Sequence, residues 1–119
     1  MIKHKYSVGD KVMTLYWGSG EITELEISRI DCNDIPSYRM KFSVDIHPDG
    51  YARNVWESSI KYKIYTMKDA LNIKTDIDVL SLPKQIYFDR AETMIRIMSK
   101  LSKCHISAFI NHDDKFIQI

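Results

Sequence analysis

The residues best equipped for chemistry in this chain are its histidines and cysteines, and several lie near the C-terminal end. His105-Ile106-Ser107 matches half of a pattern in which two His-x-Ser/Thr segments share the acid and base roles on a phosphate ester. His4, His47 and His112 have no Ser or Thr two residues on, so the acid–base partner is missing. Cys104, His105, His112 and Asp114 are of metal-ligating type, but the closely paired Cys-x-x-Cys spacing of a structural zinc site is absent. A satisfied thiol, an exposed imidazole and a polar turn account for the same residues. No glycine-rich phosphate loop, nucleophile elbow or spaced carboxylate pair occurs. The expectation is a protein without catalytic residues, metal or cofactor. What remains is aromatic. Tyr16 and Trp17 stand beside Gly18 and Gly20, and Tyr51 and Trp56 lie around the last candidate hairpin. Aromatic faces attract cations and stack on planar groups, so these four are the candidate partner contacts. The competing use is as rings filling a core, which weighs more for Trp56 than for Trp17 beside its glycines.

Composition frames these candidates. The chain has 119 residues, 45% hydrophobic and 28% charged, the usual balance for a globular domain with one core or two small lobes. No apolar run approaches the roughly 20 residues of a membrane span, and the basic start leads directly into Val8-Gly9-Asp10 without an apolar signal core. Cys32 and Cys104 are far apart and read as reduced thiols, not as a disulfide framework. A cytoplasmic protein follows as the expectation. An isoleucine- and lysine-rich composition with few Gly and Pro points to an AT-rich bacterial or phage genome. Net charge is +1, and through Lys63 nine basic residues face nine acidic ones, without the concentrated basic face of a phosphate-backbone binder.

The elements that must position the candidates change character midway. Asp10–Tyr16 and Glu21–Ile30 read as strands, the second bulged because Ile22, Leu25 and Ile27 break strict alternation. Asp31–Ser37 reads as a long turn. Tyr38, Met40, Phe42, Val44 and Ile46 alternate with polar residues, the clearest half-buried strand in the chain. His47-Pro48-Asp49-Gly50 reads as a turn, Tyr51–Trp56 as the next strand, and Ile60–Tyr65 as the last. Thereafter the period becomes helical. Thr66 with Asp69, and Thr75 with Asp78, read as helix N-termini, the second stopped by Pro83. Asp89 followed by Glu92 reads as a third, with Phe88, Ala91, Met94, Ile95, Met98 and Leu101 on one face and Glu92 poised to pair with Arg96. Cys104, Ile106, Ala108 and Ile110 alternate like a strand, although helix continuing through Phe109 also fits. Asn111–Asp114 is a turn before a final strand at Phe116–Ile119.

Tyr6-Ser7-Val8-Gly9-Asp10-Lys11-Val12 resembles the first strand of Tudor-like and KOW-like small β-barrels. Gly18-Ser19-Gly20-Glu21-Ile22 resembles the glycine turn and second strand of those families, and Val55–Ile60 the short helical turn before their last strand. The likeness spans about residues 6–64. It implies a five-stranded barrel whose loops, here Tyr16, Trp17, Tyr51 and Trp56, form an aromatic cage or peptide groove. The basic concentration of the nucleic-acid-binding KOW type is lacking.

The resulting expectation is an α+β chain. Residues 1–65 would form the small barrel, and residues 66–119 a helical segment with a possible C-terminal hairpin packed on it, the two together forming one domain or two. Its function would be non-catalytic recognition of a protein partner through the barrel loops. A nucleic-acid-binding barrel using Lys11, Arg39, Lys41 and Arg53 is the first alternative. A phage-encoded inhibitor of a host or defence protein, or of a signalling nucleotide, is the second.

Overall fold

The computed structural model describes residues 2–44 and 47–119, with the backbone alone at 43–44 and 47–50. Its secondary structure is mixed α and β, and the chain divides into two units, Met1–Lys63 and Ile64–Ile119.

The first unit is a meander of strands β1 (Lys11–Thr14), β2 (Ser19–Ile30), β3 (Asn33–Val44) and β4 (His47–Trp56). A one-turn 3-10 helix at Glu57–Ser59 then leads into β5 (Ile60–Tyr65), whose last residues belong to the second unit. The strand order is β4-β3-β2-β1-β5, with the Leu15 N–H bonded to the Ser59 carbonyl at 2.9 Å. Among the described residues no ladder returns from β4 to β5, so the sheet stays open and the expected closed barrel is not seen. The expected bulge is present: the β2–β3 register shifts between Ile22 and Glu24. The expected long turn at Asp31–Ser37 is not. Asp31 (φ 51°) and Cys32 (φ 65°) both take left-handed backbone, which closes a two-residue hairpin and frees Asn33 onward to pair as strand. His47–Gly50, expected as a turn, is the start of β4, with His47 opposite Val44. Ile46, expected at the end of β3, lies outside the described residues.

Alternation along β3 builds the first core. Tyr38, Met40 and Phe42 are fully buried and pack with Val12, Ile22 and Val55. Gly20 lies opposite Phe42, and a Cβ there would sit 2.8 Å from the phenyl ring. The ring therefore occupies the space that any other residue at position 20 would fill.

In the second unit, the end of β5 pairs in parallel with β6 (Gln85–Phe88), a strand the sequence reading missed. Parallel neighbours need a crossover connection, and helices α1 (Met67–Leu71) and α2 (Asp76–Leu80) supply it. Both begin where expected. The Asp69 carboxylate accepts from the Thr66 N–H at 2.9 Å, and the Asp78 carboxylate from the Thr75 N–H at 3.0 Å, with the Asp78 N–H returning to the Thr75 hydroxyl. Helix α3 (Ala91–Lys103) starts one residue later than expected: Arg90 is its N-cap, while Asp89 accepts a hydrogen bond from the Thr93 hydroxyl at 2.6 Å. Its buried stripe is Thr93, Ile97 and Leu101, whereas Ile95, expected on the apolar face, is 61% exposed. Glu92 pairs with Arg90 at 3.8 Å instead of with Arg96. The order β6-β8-β7 is completed by β7 (Phe109–Asn111) and β8 (Phe116–Gln118), antiparallel to each other. The alternation at Cys104–Ile110 is thus strand only from Phe109, and the helix ends at Lys103. Ile86, Ile97, Leu101 and Ile117 form the second core. Among the described residues no helix is long and apolar enough to cross a membrane.

Candidate functional site

The loop between β1 and β2 presents Leu15, Tyr16 and Trp17 in succession, a costly arrangement in water unless something holds it. Thr14 does so. Its buried hydroxyl accepts from the Trp17 N–H at 3.0 Å and donates to the Gly18 carbonyl at 2.7 Å, tying the loop to the end of β1. The reversal needs one residue in left-handed backbone, and Gly18 (φ +75°) provides it without a Cβ clash. With the backbone fixed in this way, Leu15 is 51% and Tyr16 74% exposed, while Trp17 is half-buried against the first core. Tyr16 meets Trp17 edge to face, ring centroids 5.5 Å apart.

Cross-strand register decides what faces that loop. Tyr51, Arg53 and Val55 of β4 lie opposite Phe42, Met40 and Tyr38, and directly opposed residues share a face. Arg53 therefore emerges on the core side of the sheet, at its rim, where its guanidinium lies over the Trp17 ring at 4.5 Å from the centroid. Tyr51 stacks on Phe42 at 5.3 Å and packs against the same core as Trp17. Arg53 is exposed and takes part in no salt bridge among the described residues.

Of the four aromatic candidates, three thus lie at this rim: Tyr16, Trp17 and Tyr51. Trp56 does not. It lies opposite Ser37 on the other face of the sheet and is 47% exposed, so the tryptophan read as the better core candidate is the more exposed of the two. Its partner Ser37 is buried, and the Ser37 hydroxyl accepts from the Ser28 hydroxyl at 2.9 Å.

The four basic candidates do not form one surface. Lys11, Glu21 and Lys41 lie opposite one another in a single row across β1, β2 and β3, and Glu24, Arg39 and Asn54 in the next. Each row places a glutamate between or beside its bases, and Arg39 also bonds the Asn54 side-chain oxygen at 3.1 Å. Arg53 is on the opposite face. Arg53 is expected from the sequence among the basic contacts, and Leu15 carries no such expectation. The spacing Tyr51-x-Arg53 carried the missing information, since residues two apart on a strand share a face.

Behind the rim, the Tyr38 hydroxyl donates a short hydrogen bond to the Glu57 carboxylate and accepts from the Tyr6 N–H at 3.1 Å. Burial, and then the bond to Glu57, raise the Tyr38 phenol well above its ordinary range. It stays protonated and ties the segment before β1 to the 3-10 turn. His105, the candidate for acid–base work, has a different part. It is exposed, lies in left-handed backbone (φ 57°) just past α3, and its N–H bonds the Ser102 carbonyl while that of Ile106 bonds Leu101, both at 3.0 Å. This pair of bonds is a Schellman helix stop, and Ile106 packs against the second core, to which Leu101 belongs. Among the described residues no three His, Cys, Asp or Glu side chains converge as a metal site. Comparison with protein-family models, curated proteins and solved structures finds no match for this chain.

Proposed function

We propose that the first unit is a non-catalytic binding module that recognises an acidic segment of a protein partner through Tyr16, Trp17, Tyr51 and Arg53. The observation that carries this reading is the Arg53 guanidinium over the Trp17 face at 4.5 Å. The aromatic cage of a Tudor-like module attracts a cation from its ligand. Here the position over the indole is filled by the chain's own arginine, so a second cation is repelled and an anion is drawn to the guanidinium edge. Leu15 and Tyr16 beside it offer apolar surface to residues flanking the partner's carboxylate. A Tudor-like use of the unit is further supported by its strand order β4-β3-β2-β1-β5 and by the 3-10 turn before β5. Interleaved glutamates on the other face weigh against a nucleic-acid surface there.

A panel of end-blocked decapeptides tests the proposal: one set with Asp or Glu beside Leu or Phe, a matched set with Asn or Gln, and one peptide with trimethyllysine. Each is titrated against the ¹⁵N-labelled protein while the Trp17 indole N–H is followed. Shifts confined to the acidic set are expected, and Trp17→Ala should weaken that binding by about thirtyfold, the scale of an aromatic anchor contact. Preference for the trimethyllysine peptide, or no shift with any acidic member, would overturn it.

A further inference from the structure

Helix α3 gathers positive charge. Arg96, Lys100 and Lys103 stand four and three residues apart and so share one side of the helix. With Met67, Ile95 and Ser99 they line a hollow of about 470 Å³ in the second unit. Lys100 and Lys103 also border a second hollow of about 350 Å³, which Lys74 and Thr75 line as well. The two lysines thus form a ridge between two hollows, with Arg96 contributing to one and Lys74 to the other.

Of the nearby acids, Glu92 and Asp78 are held by other groups, and cations outnumber carboxylates around both hollows. Glu92, at the edge of the first hollow, pairs with Arg90. Asp76 lines the second hollow beside Cys104, whose thiol donates to it at 3.5 Å, so that hollow holds one carboxylate against three lysines, and Asp78 accepts from the backbone N–H groups of Lys74 and Thr75 at 2.9 and 3.0 Å. Among the described residues none of the four cations is in a salt bridge. The Lys100 ammonium is also held in place, donating to the Ala70 and Ile73 carbonyls at the end of α1. An ammonium has three N–H donors, so one remains for a ligand. Burial, followed by repulsion from Arg96, Lys103 and Lys74, holds this amine below the usual lysine range, with Asp78 opposing. An anion on the ridge would relieve that repulsion.

We propose that the Arg96–Lys100–Lys103 ridge, with Lys74, binds a small anion carrying two or more linked phosphate groups. Four cations spread along two adjoining hollows match a chain of phosphates better than a single one. Hollows of a few hundred cubic ångströms are on the scale of small-molecule sites, whereas a long nucleic acid would call for an extended basic surface.

Calorimetric titration of the full chain at fixed ionic strength tests this, with inorganic tripolyphosphate, orthophosphate and a twelve-residue oligothymidylate as the probes. Tripolyphosphate should bind at least tenfold more tightly than orthophosphate. Arg96→Ala and Lys103→Ala, both exposed positions, should each weaken it by about tenfold, the scale of a charge-assisted contact, with the melting temperature unchanged. Lys100→Ala should weaken it further, but the helix α1 carbonyls depend on that residue, so the two exposed positions carry the test. Absence of tripolyphosphate binding at millimolar concentration would overturn the proposal, as would binding unaffected by the Arg96→Ala/Lys103→Ala double variant. Tighter binding of the oligothymidylate would replace the small ligand with a nucleic acid.

Discussion

The two units handle similarly charged sequence in opposite ways. In the first, bases sit on strands, and antiparallel register sets Glu21 between Lys11 and Lys41 so that the sheet face is close to neutral. In the second, helical spacing stacks Arg96, Lys100 and Lys103 along one side, where they outnumber the nearby carboxylates. Cross-strand pairing brings together residues from distant points of the chain, so it can alternate charge. A helix face is drawn from a single short stretch and carries whatever charge recurs every three or four residues. The first unit's distinctive feature is therefore aromatic, one arginine on one indole, whereas the second unit's is electrostatic.

The largest expected effect sharpens the description of the second unit. Ile97→Ala removes a fully buried side chain and should cost about 2–5 kcal/mol, while Ile95→Ala should change stability by no more than about 0.5 kcal/mol. Chemical denaturation of both variants checks this, and equal losses would mean that α3 is rotated relative to the account given.

A smaller effect belongs to the first unit. Tyr38→Phe deletes the acceptor of the buried Tyr6 N–H and should cost about 1–3 kcal/mol. The same residue confers a pH dependence. Its phenol is raised in the folded state, so the stability it contributes is complete below the ordinary phenol value of about 10 and is lost as pH rises beyond it. Melting curves from pH 8 to 11 should show a steeper alkaline decline for the wild type than for Tyr38→Phe. Parallel declines would remove Tyr38 as the cause.

Smallest is His105. A non-glycine residue in left-handed backbone is strained, so His105→Gly should stabilise the chain by about 1 kcal/mol. A loss of stability of that size would show that the imidazole makes a contact beyond the helix stop.

Those three sites also mark how far the sequence could be read. Tyr38, Met40 and Phe42 were legible because alternation over one buried face leaves a period-two pattern. The caps at Thr66 and Thr75 were legible because a capping box is local chemistry. His105 was not, since a histidine supplies a left-handed stop where glycine is the usual signal. Ile95 was misplaced because Met94, Met98 and Leu101 are compatible with either Ile95 or Ile97 as the centre of the stripe. Strand β6 was missed because four residues carry too little periodicity to separate them from a helix approach. The rim at Trp17 was half legible. The loop aromatics stood out, but the position of Arg53 follows from its register opposite Met40, a non-local fact.

Arg53 offers the most direct test of the central claim, that the guanidinium on Trp17 turns an aromatic rim toward anions. Its side chain is exposed and Trp17 packs against the first core, so Arg53→Gln is chosen to separate recognition from stability. The measurement is the dissociation constant of the tightest acidic decapeptide for wild type and for Arg53→Gln, taken beside the two melting temperatures. The account predicts at least tenfold weaker binding with melting temperatures within about 2 °C, as expected for an exposed substitution. Unchanged affinity for the acidic peptide in Arg53→Gln would contradict it.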